Sequence, residues 1–110
     1  MKMVLVINNE QMGGGDAELG RKLLGTALRK LARFDELETI ILYNAGVRLA
    51  TRDSFVAVEL GLLRENGVSI LACGTCVEHY GLHDRLLVDR ISNMDEILDT
   101  LRRAKKVITL

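Results

Sequence analysis

The chain is organised around the stretch Val68-Ser69-Ile70-Leu71-Ala72-Cys73-Gly74-Thr75-Cys76, in which an apolar run leads directly into two closely spaced cysteines. Short apolar runs bounded by turn residues are typical of strands buried on both faces of a sheet. Similar runs occur at Met3–Ile7 and at Thr39–Tyr43, and longer amphipathic stretches separate the three. Such an alternation of strands and helices predicts a parallel sheet with helices on both of its faces.

The remaining elements follow from capping residues and helical spacing. Asp16 is a good N-cap for a helix over residues 17–33, and Asn93 with Glu96 resembles a capping box for a last helix. Caps at residues 51–54 and the pair Asn66-Gly67 bound a second helix between them. The apolar face expected for the first helix is Leu19, Leu23, Leu24, Ala27, Leu28 and Leu31.

Two further strands complete the expected sheet, at Arg85–Val88 and at Lys106–Thr109. The fold class is therefore α/β, a three-layer α/β/α sandwich with about five parallel strands. Residues 1–110 suit a single domain, because a chain of this length can bury one core but not two.

Composition excludes several classes of protein. The 110 residues carry 15 Lys and Arg against 15 Asp and Glu, so the net charge is zero and no nucleic-acid partner is expected. The 48% of apolar residues is too high for a disordered chain. No apolar run is long enough for a membrane span, and the first run is too short for a signal peptide. Two cysteines are too few for a disulfide scaffold, so we expect a cytoplasmic protein.

Residues with chemical potential gather after the predicted strands. Ligands of parallel sheets bind outside the carboxyl ends of the strands. Both cysteines and His79 follow the third strand, while Asn8 begins the loop after the first. That loop also contains Gly13 and Gly15, and the turn after the second strand contains Asn44 and Gly46. These segments predict one composite site.

The motif Cys73-Gly74-Thr75-Cys76 is the strongest local signal. A pair of thiols at a strand-to-helix junction lies beside unpaired backbone N–H groups, which favour the reactive thiolate. Gly74 permits a sharp turn, Thr75 can cap the following helix, and His79 can donate a proton near the thiols.

Other ligand chemistries match the sequence less well. Cys73, Cys76, His79 and His83 are zinc-ligand types, but their spacing is compressed and we assign no metal site. The triple glycine at residues 13–15 lacks the Gly-Lys-Ser/Thr ending of a phosphate loop, so no cofactor is assigned either.

The second predicted helix is apolar nearly all round, since Phe55, Val56, Val58, Leu60, Leu62 and Leu63 cannot all face one sheet. Either it is deeply buried or another subunit covers part of it. A homo-oligomer, a dimer or trimer, is the more economical interpretation in so small a domain.

Several of these motifs resemble the DsrE/DsrF-like family of small sulfur-relay proteins. The resemblance rests on Ala72-Cys73-Gly74-Thr75-Cys76 and on Tyr80-Gly81-Leu82. The DsrE-type domain of the YedF group, named for selenium metabolism, is the most similar. That closer likeness rests on Met12-Gly13-x-Gly15-Asp16-x-x-Leu19-Gly20, on Tyr43-Asn44-x-Gly46-Val47-x-Leu49 and on Ser92-Asn93-Met94.

The resemblance implies a five-stranded parallel sandwich, oligomeric assembly and a role in sulfur or selenium handling. Relay members of the family carry a persulfide on a cysteine in the loop that Cys73 and Cys76 occupy here. Members of the YedF group carry a TusA-like domain ahead of this one, so a TusA-like sulfur-carrier protein is an expected partner. This implies a sulfurtransferase-like activity.

Three hypotheses about function remain open at this point. In the first, Cys73 carries a persulfide and Cys76 resolves it or tunes its thiolate. In the second, the two cysteines form a reversible disulfide in a redox or sensor module. In the third, the chain is a non-catalytic oligomeric binding subunit with ordinary thiols.

Overall fold

The computed structural model describes residues 3–110 and has the α/β architecture expected from the sequence. The strands pair in parallel in the order β4-β3-β2-β1-β5. They are β1 (Met3–Ile7), β2 (Leu37–Leu42), β3 (Ser69–Cys73), β4 (Arg90–Ser92) and β5 (Lys106–Thr109). The helices are α1 (Ala17–Leu31), α2 (Ala57–Glu65), α3 (Gly74–Tyr80) and α4 (Met94–Arg103).

The two faces of the sheet are covered by different helices. Met3, Leu5 and Ile7 of β1 pack in one cluster with apolar residues of α1, α2 and α3. Val4 and Val6, which alternate with them, pack with Ile97 of α4 on the other face. The chain steps from β1 to β4 in one direction and returns to β5, so right-handed crossovers place α4 opposite the other helices. The three-layer prediction is confirmed.

The buried face of α1 differs from the expected one. Asp16 caps the helix as predicted, its carboxylate accepting the Leu19 N–H at 2.8 Å. Leu24, Leu28 and Leu31 are buried as expected, but Leu19 and Leu23 are about half exposed. The helix turns Gly20 and Gly25 toward the core instead.

Gly20 explains why α1 is rotated about its axis relative to the expected orientation, since a residue without a side chain allows close packing. A Cβ at Gly20 would lie 2.7 Å from the Cβ of Gln11, so the helix approaches the loop more closely than a leucine face permits.

The prediction of a strand at Arg85–Val88 is wrong. Leu86 forms only an isolated antiparallel bridge with Thr51, and the fourth strand is the shorter β4, which pairs with Leu71, Ala72 and Cys73. Asp89, just before β4, satisfies both backbone groups of Ile70: its N–H donates to the Ile70 carbonyl at 3.1 Å, and its carboxylate accepts the Ile70 N–H at 2.6 Å. The apolar run therefore lies in a loop, and Asp89 marks the point at which the chain begins to pair with β3.

A 3₁₀ segment at Asn44–Ala50 follows β2, where the sequence indicated only a break. The segment packs very closely on the end of β1, and Gly46 makes this possible: a Cβ there would lie 2.1 Å from the Ile7 carbonyl oxygen. The next helix, α2, begins at Ala57, later than the caps at residues 51–54 suggested, and Val56 precedes it without a side-chain cap.

Candidate functional site

The two cysteines occupy different environments at the carboxyl edge of the sheet. Cys73 ends β3 and is buried, 3% exposed. Cys76 lies one turn later, in α3, and is partly exposed. Both thiols are free. Of the two, Cys76 is therefore the thiol that a molecule from solution can reach.

Cys76 lines a cavity of about 320 Å³. The cavity brings together three residues that the sequence singled out, namely Asn44, Thr75 and His79. Its other walls are Tyr43, Tyr80 and Met94, which the sequence analysis did not assign to a site. Tyr43 directly follows β2 and Met94 begins α4, so both lie at the carboxyl edge where the rule for parallel sheets could have found them.

The backbone of Asn44 is the closest polar contact of the Cys76 sulfur. Its N–H donates to Cys76 Sγ at 3.0 Å. Asn44 has a φ of 50°, in the left-handed region that asparagine tolerates better than most residues. The turn after β2 therefore presents a backbone donor to the thiol, where the sequence suggested only a turn-forming role or a side-chain contact.

Gly74 and Thr75 have structural positions that the sequence predicted in part. Gly74 opens α3 directly after β3, and a Cβ there would lie 3.0 Å from Ile91 Cγ2 and 3.1 Å from the Ser92 carbonyl oxygen. A side chain at this position would therefore require β4 to move by a few tenths of an ångström. Thr75 is not the cap of α3, because the helix begins one residue earlier and Cys73 occupies the capping position without a side-chain hydrogen bond.

The pKa of the Cys76 thiol is raised above its ordinary value. Burial is the largest cause, and the neighbouring thiol of Cys73 raises the pKa further, while the Asn44 N–H acts in the opposite direction. The expectation that this loop favours the thiolate is therefore wrong for Cys76. The folded protein binds the proton of this thiol more tightly than the unfolded chain does. The stability gained in this way is lost as the pH rises through the pKa of Cys76 in the folded state.

We expect the alkylation rate of Cys76 by iodoacetamide to reach half its maximum at a higher pH than that of an unfolded peptide thiol. The C73S variant removes one cause of the raised pKa, so its midpoint is expected to shift downward but to stay above the peptide value. Stopped-time alkylation followed by mass spectrometry measures both curves. A midpoint at or below that of the peptide thiol would contradict this picture of the site.

Three of the predicted site residues, Asn8, Gly13 and Gly15, lie outside this cavity. Gly13 and Gly15 are exposed in the loop after β1, where the Gln11 amide donates to their carbonyl oxygens at 3.1 and 3.3 Å. Asn8 begins that loop and does not line the cavity. His79 is exposed and packs edge-to-face on Tyr80, with ring centroids 5.0 Å apart. The loop after β1 is therefore separate from the thiol.

Within residues 3–110, no cluster of three or more His, Cys, Asp or Glu side chains is placed to hold a metal ion. His83 does not line the cavity around Cys76. In the same part of the chain, no helix combines the length and apolar character needed to cross a membrane.

Comparison with known proteins agrees with this arrangement of strands. The model of the DsrE/DsrF-like family matches residues 1–110. The chain belongs to the DsrE/DsrF-like family. This family is associated with sulfur relay in general. Among the curated proteins, none matches the chain.

Three solved structures share the fold of this DsrE/DsrF-like chain. The YchN protein from E. coli is 20% identical with a TM-score of 0.70, over 99% of this chain and 98% of that one. MTH1491 from Methanobacterium thermoautotrophicum, a protein of unknown function, is 23% identical with a TM-score of 0.68, over 96% and 97%. BT1422 from Bacteroides thetaiotaomicron, also of unknown function, is 19% identical with a TM-score of 0.67, over 99% and 94%. At these identities the likeness concerns the fold.

Proposed function

We propose that this protein is a sulfur-relay protein that carries a persulfide on Cys76. The observation that carries the proposal is a reachable thiol in a cavity at the carboxyl edge of the sheet, with a backbone N–H 3.0 Å from its sulfur. Membership of the DsrE/DsrF-like family supports the same chemistry. We assign the carrier role to Cys76 in preference to Cys73, because Cys73 is buried.

The transfer needs no cofactor or oxidant. The Cys76 thiolate attacks the outer sulfur of a sulfane donor R–S–SH, so that a new S–S bond forms on Cys76 while the S–S bond of the donor breaks. The leaving group R–S⁻ takes the electron pair. In the second step an acceptor thiolate attacks the same outer sulfur, and Cys76 leaves as a thiolate.

The surroundings of Cys76 suit a reactive sulfur intermediate. The Asn44 N–H stabilises negative charge as it develops on the sulfur, both on attack and on departure. The side chains of Tyr43, Tyr80 and Met94 form much of the cavity wall and give the persulfide a partly apolar environment. His79 also lines the cavity, and its proposed role is to supply a proton to the leaving group.

A redox or sensor module is the second candidate, and the contact between the two thiols favours it. The Cys73 thiol is close enough to Cys76 to raise its pKa. A Cys73 thiolate that attacks Cys76 Sγ in the persulfide forms a Cys73–Cys76 disulfide and expels hydrosulfide, HS⁻. In the relay Cys73 is then the resolving thiol, whereas in a sensor the disulfide itself is the signal.

The test is to incubate the reduced protein with a sulfane donor and to locate the added mass of one sulfur atom by fragmentation. We expect the addition on Cys76. If the only product is the intramolecular disulfide, the sulfur-relay proposal would have to be replaced by the redox or sensor module. Two unmodified thiols of ordinary reactivity would favour the third interpretation, a non-catalytic binding subunit.

We also propose that the protein acts as a homo-oligomer, a dimer or a trimer. Only Leu60 and Leu63 of α2 are buried, while Val58 is 73% exposed and Phe55 and Leu62 are about half exposed. The helix is therefore not deeply buried within one subunit, which leaves coverage by a second copy as the explanation of its apolar surface.

The V58K variant is expected to lower the molar mass measured by light scattering to that of one chain, because the charge would be buried without a partner. Asn66 at the end of the same helix is exposed, so N66K is a matched control that should keep the mass of the wild type. A wild-type protein with the mass of one chain would overturn the proposal.

The cellular context that we propose follows from the two free thiols. Free cysteines suit the reducing cytoplasm, where disulfides are rare. A TusA-like sulfur carrier is the proposed partner protein, and the proposed resemblance to the YedF group extends the candidate cargo from sulfur to selenium.

A further inference from the structure

A second cavity, of about 300 Å³, lies at the carboxyl edge of the sheet and is lined by three arginines. Arg21 comes from α1, Arg48 from the 3₁₀ segment and Arg85 from the loop after α3. Two carboxylates, Glu10 and Asp53, share the cavity. The net formal charge of these five side chains is therefore +1.

The carboxylates are already engaged, so they leave part of the positive charge unmatched. Glu10 pairs with Arg48 at 3.3 Å. The pKa of Asp53 is lowered by a backbone hydrogen bond, then by the Thr51 hydroxyl, with a smaller contribution from the charge of Arg85. Among residues 3–110, no carboxylate forms an ion pair with Arg21.

The Arg21 guanidinium lies over an aromatic ring. Its central carbon lies 5.9 Å from the centroid of the Phe55 ring, in a cation–π contact. This contact leaves the N–H donors of the guanidinium available, and no acceptor within residues 3–110 takes them. The parallel N–H donors of a guanidinium without an acceptor match the geometry of carboxylate, phosphate and sulfonate groups.

The walls of the cavity are held in place by backbone contacts between two loops. Thr51 and Leu86 form an antiparallel bridge. Next to it, the Leu87 N–H donates to the Ala50 carbonyl at 2.6 Å and the Arg52 N–H donates to the Arg85 carbonyl at 3.2 Å. These bonds fix the loops that carry Arg48 and Arg85, so a ligand would find the cationic groups already arranged.

We propose that this cavity binds the oxyanion group of a small molecule, with Arg21 as its principal ligand. Arg48 and Arg85 line the same cavity, and the carboxylates of Glu10 and Asp53 keep its net formal charge at one positive unit. The proposal goes beyond the relay chemistry and does not depend on Cys76. It assigns to this protein a binding site for a carboxylate, phosphate or sulfonate.

The oxyanion cavity shares a wall with the thiol cavity. The guanidinium carbon of Arg48 lies 5.3 Å from the centroid of the Tyr80 ring, and Tyr80 lines the cavity that contains Cys76. The contact between Arg48 and Tyr80 therefore separates the two cavities, which have no lining residue in common. The relay donor or acceptor is one molecule that can use this site, but binding alone is what the proposal requires.

The test is a titration of the whole protein followed by NMR of the arginine Nε–H groups. Inorganic phosphate, succinate and methanesulfonate, none of which donates sulfane sulfur, are the three probes, and chloride maintains constant ionic strength. We expect a saturable shift of the Arg21 signal with at least one probe, and the probe with the lowest dissociation constant identifies the oxyanion class. Changes that do not saturate with any of the three would overturn the proposal.

Three variants determine whether the cavity is the site. R21Q is expected to raise the dissociation constant about tenfold or more, because a bidentate charged contact is lost. E10Q is expected to lower it several-fold, because Arg48 loses its competing carboxylate. R102Q alters an arginine of α4 that pairs with Asp99 outside the cavity, so its affinity should match the wild type.

Folding of the variants can be checked independently, since Arg21 is on the exposed surface of α1 and glutamine is a good helix former. R21K retains the charge without the fork and should bind with intermediate affinity. An unchanged affinity in both R21Q and R21K would overturn the assignment of Arg21.

Discussion

Replacing Gly46 with alanine is expected to destabilise the folded protein by about 3 kcal/mol or more. The new Cβ would lie 2.1 Å from the carbonyl oxygen of Ile7 and 2.9 Å from its carbonyl carbon. Both atoms are backbone of β1, the strand between β2 and β5, so no side-chain rotation can relieve the overlap. Either β1 or the 3₁₀ segment has to shift.

The same shift would disturb the thiol site. The Ile7 carbonyl also accepts the Tyr43 N–H at 3.3 Å, and Asn44, the donor to Cys76, is the next residue. Urea unfolding followed by circular dichroism measures the loss of stability, and alkylation of Cys76 reports the loss of the local contact.

Gly61 provides the matched control for this prediction. It lies within α2, and nothing is within 4 Å of a Cβ built there. G61A should therefore stabilise the protein by about 0.5–1 kcal/mol, since alanine favours a helix over glycine. If G46A unfolds within about 1 kcal/mol of the wild type, the close contact between Gly46 and β1 is not a constraint on the fold.

The second large effect is expected when Cys76 is replaced with serine. Loading of the protein by a sulfane donor should fall to background, a loss of about a hundredfold or more, because a serine hydroxyl is not ionised near neutral pH. C73S should load at least as fast as the wild type, because removing the Cys73 thiol lowers the pKa of Cys76 and increases its thiolate fraction.

Mass spectrometry of the intact variants at matched donor concentrations measures both rates. Loading should also accelerate as the pH rises toward the raised pKa of Cys76. The opposite pattern, in which C76S loads and C73S does not, would return the carrier role to Cys73 and contradict the accessibility argument.

Local patterns predicted the sheet better than they predicted the site. The run Met3–Ile7 is apolar without alternation, and the structure confirms it as a strand buried on both faces. The run Arg85–Val88 is also apolar after its first residue, yet it forms a loop, because its backbone partners are residues 50–52 rather than a neighbouring strand. Pairing of distant segments cannot be read from the composition of one of them.

The candidate site shows the same limit. The rule for parallel sheets predicted that Cys76, Asn44 and His79 would lie at one edge, and they line one cavity. The sequence favoured Cys73 as the carrier because it is nearer the strand end, but the end of β3 is covered by packing on both sides. Which of two cysteines is reachable depends on neighbours from β2 and α4, and these are distant in the chain.

The contact between Asp89 and Ile70 has a consequence for aggregation. A strand edge with free backbone groups is a template on which a strand of another chain can add. Asp89 occupies both hydrogen-bonding positions of Ile70, and beyond it β4 offers only three residues of open edge. This end of the sheet is therefore protected against edge-to-edge growth by a single residue, Asp89, and by the shortness of β4.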